Sequence, residues 1–255
     1  MKALPLPKTQ DIIERINALQ AASPYYIDPK GISDRTRQLR LIKRDIDDMF
    51  KVDARAAWEV TGAWKALVGD WDGVREAFTA SLALGDSGSN RVNWLVNCLN
   101  LGMFSAARAA YADMGDPENS YFSMMLALGV RSGAIEQALR NVERARVMSI
   151  SWDESDAEDV IKANEILREA GISDEQVARH LDAAGVVLSR HRIRPQVHPR
   201  VIAAEGFFRG VTFAFPVPVS ADEAFEMNVE LAVEEEQAGV QKDVAFDVVF
   251  EAEAA

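Results

Sequence analysis

The 255-residue sequence is poor in the residues from which catalytic and metal sites are most often built. A single cysteine, Cys98, allows no internal disulfide, which is typical of a reducing compartment. The three histidines, His180, His191 and His198, are in or beside one short segment, without cysteine or a suitably spaced carboxylate nearby. We therefore expect surface histidines, no metal site and no bound cofactor.

Motifs of known enzyme classes are also absent. The sequence has no phosphate-binding glycine motif, no zinc-ligand spacing, no serine elbow and no paired-cysteine redox motif. These absences favour a protein that is not an enzyme. An enzyme whose catalytic groups converge from distant segments would leave no such motif, so that alternative stays open.

Long hydrophobic runs are missing as well. No apolar run approaches the ~18 residues of a membrane span. The first seven residues are too short, and too interrupted by Pro5 and Pro7, to be a secretory signal. We expect no membrane association and a cytoplasmic location.

Negative charge is present in excess, and it is unevenly placed. The net charge is −12, and residues 220–255 hold eleven Asp and Glu against one Lys, a balance of −10. The remaining 29 acids and 27 bases nearly cancel. An acidic C-terminal region repels phosphate backbones and favours a basic partner. We expect its acidic surface to include Glu230, Glu234, Glu235 and Glu236.

An internal repeat dominates the middle of the chain. Gly69, Gly102 and Gly133 each follow one apolar helical stretch and precede another, at separations of 33 and 31 residues. This spacing is close to the ~34-residue period of helix–turn–helix repeats. Other matching positions are Trp58, Gly62, Trp71 and Phe78 in the first unit, Phe104, Ala107 and Tyr111 in the second, and Ala138 and Ala145 in the third.

In these residues the chain, over about residues 55–150, resembles the tetratricopeptide repeat (TPR) family. Thr61, Lys65 and Val74 depart from the first unit's pattern, and no unit has the closing proline in register. The resemblance implies a TPR-like α-solenoid of stacked antiparallel helix pairs, because one pair cannot bury its apolar face alone. It also implies a groove, lined by the first helix of each pair, that binds a protein or peptide.

Three asparagines are the best candidates for that groove. Asn93, Asn97 and Asn100 recur at i, i+4 and i+7 and so share one helix face. An Asn amide offers both donor and acceptor and can hold a ligand's peptide backbone. Alternatively, these amides bond to solvent or to the neighbouring repeat.

Some family members grip a peptide's C-terminal carboxylate with Lys, Arg and Asn. The corresponding positions here hold Glu59, Ala63, Asn93, Ser120 and Met124. Only the asparagine is retained, so a neutral or basic ligand is expected instead.

The whole chain is predicted to be mainly α, with a small α+β domain at its C-terminal end. Residues 1–190 form the helical domain, 190–200 a basic linker, and 200–255 a β-β-α-β domain. Residues 221–238 alternate like a strand, but Ser220, Glu223 and Gly239 provide helix start and stop signals. The helices are predicted at about 9–22 and 33–50, with helix pairs at about 54–84, 90–114, 119–148 and 155–190.

Basic residues concentrate in two places. Arg37, Arg40 and Arg44 share a face of the second helix, and Arg190, Arg192 and Arg194 lie in the linker. They are either a solvated surface or a possible basic contact with nucleic acid.

The sequence thus favours a non-enzymatic protein-binding or regulatory scaffold, possibly an inhibitor of a basic protein that acts on nucleic acid. An RNA- or DNA-associated regulator that uses the arginines is the second hypothesis, and an enzyme with an unrecognised site is the third.

Overall fold

The computed structural model describes residues 9–115, 121–204 and 208–253. Within these ranges the chain is mainly helical, with a small three-stranded sheet near the C-terminal end. The helices α1 to α11 are Thr9–Ala21, Asp34–Met49, Ala54–Ala66, Trp71–Ala83, Ser89–Asn100, Phe104–Ala112, Phe122–Arg131, Ile135–Val147, Glu158–Glu169, Asp174–Arg190 and Ala221–Gln237. The strands β1 to β3 are His198–Ala204, Phe208–Val217 and Phe246–Ala252.

The predicted mainly helical chain and the C-terminal order β-β-α-β are confirmed. The ambiguous segment 221–238 is a helix, α11, which Ser220 and Glu223 start with a reciprocal capping box. Ser120 lies outside the described residues.

Local signals explain where the helices begin and end. The side chains of Asp53 and Asp70 accept hydrogen bonds from the backbone N–H groups of Ala56 and Gly73, both at 2.9 Å, and so cap α3 and α4. The three glycines of the repeat, Gly69, Gly102 and Gly133, have φ of 77°, 72° and 76°. This left-handed conformation ends a helix without a Cβ penalty, so all three repeat units have the same turn.

The chain divides into two compact units, and the first comprises residues up to Leu101 together with Arg192–Arg194. Helices α1, α2 and α3 supply its main apolar core, whose buried members include Ile12, Ile16, Leu39, Ile42, Ile46 and Val60. Helices α3 and α4 pack closely because Gly62 has no side chain: a Cβ there would overlap the ring of Phe78. Phe78 in turn packs against Trp94, with ring centroids 5.6 Å apart.

The second unit comprises residues 102–191 and 195–255 and contains the sheet. The strand order is β1-β2-β3, with β1 antiparallel and β3 parallel to β2. Helix α11 therefore lies in the crossover connection between the parallel strands β2 and β3. Prolines ordinarily favour an edge strand, yet β2, which contains Pro216, is central, with Phe213, Ala214 and Phe215 all buried.

The division between the units differs from the predicted domains 1–190 and 200–255. It falls after Leu101, so the predicted pair 90–114 is split, and α6 to α10 belong to the same unit as the sheet.

The predicted linker 190–200 is not a free segment. Ile193, between Arg192 and Arg194, and Val197 are only 1% and 4% exposed, so this stretch is packed and not solvated along its length. Among the helices of the described ranges, none is long and apolar enough to cross a membrane.

Candidate functional site

Five of the six predicted groove residues come together in the first unit. Glu59 and Ala63 of α3 and Asn93, Asn97 and Asn100 of α5 line one small cavity, the groove cavity, of about 60 Å³. Helix α1 supplies its remaining wall through Ile13, Ile16, Asn17 and Gln20. The sixth residue, Met124, belongs to α7 of the second unit and is 43% exposed. A space of this size admits a few water molecules and is too small to enclose a peptide.

The polar groups of the groove cavity are largely bonded to one another. The Asn93 amide donates to the Glu59 carboxylate, and the Asn97 amide donates to the Asn93 carbonyl at 2.7 Å. Glu59 and Asn97 are each only 6% exposed. Asn93 therefore bonds to the neighbouring helix pair, which is the alternative that the sequence left open, whereas Asn97 bonds within its own helix. Asn100 differs, because its carbonyl accepts a hydrogen bond from the Tyr26 hydroxyl at 3.1 Å and its side chain lines the cavity.

The predicted acidic surface of α11 is mostly not a free surface. Glu235 is only 4% exposed and accepts from His180 Nδ1 at 2.7 Å and from Lys242 Nζ at 2.9 Å. Glu234 pairs with Arg190 at 2.6 Å, and Glu230 pairs with His191 at 3.0 Å. Only Glu236 of the four is fully exposed and outside these pairs.

The reason for this correction is that α10 packs against α11 and places basic side chains opposite its glutamates. Burial raises the pKa of Glu235, but the hydrogen bonds from His180 and Lys242 outweigh it and hold that pKa below its ordinary value. His180, expected at the surface, is 4% exposed, and its Nε2 is 3.2 Å from the Gln241 carbonyl. His180 and Glu235 form a buried polar pair with a structural role.

The opposite side of α11 carries a surface that the sequence analysis missed. Phe225, Val229 and Val233 recur at i, i+4 and i+8 and are 69%, 51% and 45% exposed. Asp222, Glu226 and Glu236 interleave with them and are exposed. These six residues form the outer face of α11. None of its three acids forms an ion pair with a described residue, and α11 contains no Lys, Arg or His.

The helical spacing was the signal that could have revealed this face. Ala224, Met227 and Leu231 form the buried face, and the exposed apolar residues fall on the other side of the same helix. Along the sequence, the exposed Phe225, Val229 and Val233 alternate with the buried Met227 and Leu231, which is also the pattern of a strand.

The six predicted arginines do not form one set. Arg37, Arg40 and Arg44 are exposed on α2, where Arg44 lies 3.6 Å from Asp45. Arg192 and Arg194 are engaged by the backbone: Arg192 donates to the Ile27 carbonyl at 3.2 Å, and Arg194 donates to the carbonyls of Gln20 and Ser23. Arg190 pairs with α11. Of the six, Arg37 and Arg40 are therefore the two whose side chains form no ion pair or hydrogen bond with a described residue.

A larger cavity lies in the second unit and has no counterpart in the sequence analysis. Its volume is about 340 Å³, and its walls come from α7, α8, α9, β1, β2 and the residues just before α9. Its charged lining residues are Arg131, Asp156, Asp159 and Arg200. We call it the Arg131 cavity. In the part of the chain that the structure describes, no group of three or more His, Cys, Asp or Glu could hold a metal ion.

Comparisons with protein-family models, with curated proteins and with solved structures found no match. The function of this chain is therefore inferred from its own residues and their arrangement.

Proposed function

We propose that this chain is a non-enzymatic, cytoplasmic protein-binding module that docks a basic partner on the outer face of α11. The observation that supports this proposal is the combination of three exposed apolar side chains with three unpaired acids on one helix face. The partner that fits is a segment with apolar side chains in one row and Lys or Arg beside them.

The apolar row supplies the reason for a partner. Phe225 is 69% exposed, and isolated exposed apolar residues are common, but a row of three on one helix is a recognition pattern. Burying the Phe225 ring and the two valines would provide the free energy, at ~1.5–3 kcal/mol for each fully buried large apolar side chain.

The acids supply the reason for a basic partner. Glu230 and Glu234 pair with Arg190, and Glu235 pairs with Lys242 and His180, so the unpaired charge of the outer face lies at Asp222, Glu226 and Glu236. An acidic rim accelerates the encounter with a basic surface and disfavours an acidic one. The charge imbalance of the sequence also predicts a basic partner, but the acids available to contact it are Asp222 and Glu226 together with Glu236.

We further propose that the helix pairs form a TPR-like scaffold. The common left-handed turn at Gly69, Gly102 and Gly133 and the close approach of α3 and α4 at Gly62 support this assignment. The groove itself is a weaker candidate for partner binding, because α1 lines it and its amides are bonded within the chain.

A nucleic-acid-associated regulator is the second candidate. The exposed Arg37 and Arg40 of α2 favour it, since neither forms an ion pair with a described residue. Arg192 and Arg194 do not support it, because their guanidinium groups already bind backbone carbonyls.

The test is capture of partners from nuclease-treated native lysate by the full chain and by two variants. Phe225→Ala with Val229→Ala removes the apolar row, and Val244→Ala is the matched control, because Val244 is 88% exposed in the same unit but lies outside α11. We expect one basic protein to be retained by the wild type and the control, and lost by the double variant. Retention that is equal for all three would refute the proposal.

A charge experiment then separates the two candidates. Asp222→Asn, Glu226→Gln and Glu236→Gln together should slow association and flatten its salt dependence, whereas Arg37→Gln with Arg40→Gln should change neither. A response to the arginine pair alone, with loss of binding after nuclease treatment, would favour the nucleic-acid candidate instead.

A further inference from the structure

The Arg131 cavity is large enough to hold a small organic molecule. Its volume of about 340 Å³ falls within the ~300–1,000 Å³ of ligand pockets. Most of the wall is aliphatic, from Leu126, Val130, Ile135, Val160, Val201 and Val211. A wall of this composition favours a ligand with an apolar body.

Arg131 gives the cavity its chemical specificity. It is the last residue of α7, it is half-buried, and its side chain forms no hydrogen bond or ion pair with any described residue. Burial lowers the pKa of its guanidinium group, but an arginine stays protonated in a protein. A half-buried guanidinium without a partner among the described residues is well satisfied by a planar oxyanion that accepts two parallel hydrogen bonds.

The second arginine of the cavity provides the comparison. Arg200 already donates to both carboxylate oxygens of Glu251, at 2.7 and 2.8 Å. Its charge is therefore balanced within the chain, and only Arg131 can bind a ligand carboxylate without breaking an existing pair.

Two acids restrict the charge of the ligand. Asp156 and Asp159 also line the cavity, and both are exposed. Neither carboxylate lies within ion-pair distance of Arg131, so neither neutralises it. Their negative charge opposes a dianion such as a phosphate monoester more strongly than a single carboxylate.

We propose that this cavity binds a small monocarboxylic acid with an aliphatic body, whose carboxylate pairs with Arg131 and whose chain contacts the aliphatic wall. This site is separate from the outer face of α11, so it can be tested independently of the proposed protein partner.

The experiment is isothermal titration calorimetry of the full chain with octanoate, octylamine and octyl phosphate. We expect octanoate to bind, and the other two probes to bind at least about tenfold more weakly. Arg131→Gln should weaken octanoate binding about 10- to 100-fold, because it removes a charge-assisted pair. Arg140→Gln is the control, since Arg140 is an exposed arginine of α8 outside the cavity, and it should leave the affinity unchanged.

A second variant keeps the test decisive if Arg131→Gln fails to fold. Ala127→Phe places a large ring on the exposed rim of the cavity while Arg131 is retained, and it should also abolish octanoate binding. The proposal is overturned if octanoate does not bind, if both variants bind it like the wild type, or if octylamine or octyl phosphate binds as tightly.

Discussion

Replacement of Glu235 by Gln should destabilise the second unit, although sequence analysis placed this residue on the surface. Glu235 is 4% exposed and accepts from His180 Nδ1 at 2.7 Å and Lys242 Nζ at 2.9 Å. Glutamine has nearly the same shape but no charge, so both hydrogen bonds lose their charge-assisted part. A hydrogen bond to a charged group contributes ~1.5–3 kcal/mol to stability.

The two contacts do not contribute equally. Lys242 is 64% exposed, so its bond is screened by water and its loss costs little. His180 is buried, so its bond is little screened by water, and the neutral amide oxygen of Gln is a weaker acceptor for its ring. We therefore expect Glu235→Gln to lower the free energy of opening of this region by about 2–4 kcal/mol.

Amide hydrogen exchange of α10 and α11 in the full chain is the appropriate assay, because it reports the local opening free energy without assuming two-state unfolding. Glu236→Gln is the matched control: it is the next residue, it is exposed, and it should change stability by no more than about 0.5 kcal/mol. Equal exchange rates in Glu235→Gln and Glu236→Gln would refute a stabilising role for the buried His180–Glu235 pair.

The same residue predicts a pH dependence with a definite sign. The pKa of Glu235 is lowered in the folded chain, so its stabilising contribution is fully present above the ordinary carboxyl pKa of about 4.3. The contribution is lost as the pH falls through the folded-state pKa. The stability difference between wild type and Glu235→Gln should therefore be constant near neutral pH and shrink below about pH 4.

Two further predictions concern the first unit. Asn93→Ala should lower the free energy of unfolding by about 1–3 kcal/mol, because it leaves the buried Glu59 carboxylate with only the longer hydrogen bond from Ser89 Oγ at 3.5 Å, whereas Asn100→Ala should be neutral or slightly stabilising in the same urea titration. Equal effects would contradict the groove geometry. Gly62→Ala should lower the melting temperature, because its methyl group overlaps the ring of Phe78, and Phe78→Leu should restore part of the loss in a double-mutant cycle.

The helices could be predicted because their signals are local. Asp53 and Asp70 as caps, and Gly69, Gly102 and Gly133 as stops, act within one turn of the residues that they control. The C-terminal order of strands and helix was predictable for the same reason, since the capping box of Ser220 outweighs the alternation that follows it.

The role of the α11 glutamates could not be predicted from composition. A charge count does not identify partners, and His180 is 55 residues away from Glu235 along the chain. The helical spacing separates the two faces of α11, but which of its glutamates are paired follows only from the packing of α11 against α10. The linker arginines illustrate the same limit, because Arg194 is held by the carbonyls of Gln20 and Ser23, which are far away in sequence.

The Arg131 cavity left no sequence signal at all. Its wall is assembled from helices and strands between Ser123 and Val211, and an arginine at a helix end is ordinarily a favourable cap. Only the tertiary arrangement shows that this arginine is half-buried without a partner among the described residues.

The most direct test of the proposed outer face of α11 is thiol labelling at single positions of that helix. Val229→Cys and Leu231→Cys are compared in the full chain, where the native Cys98 is buried and provides the slow reference. We expect Val229→Cys to be labelled at least about tenfold faster than Leu231→Cys, and a bound basic partner to protect it. Equal labelling of the two positions, or fast labelling at Leu231→Cys alone, would refute the outward orientation of Val229.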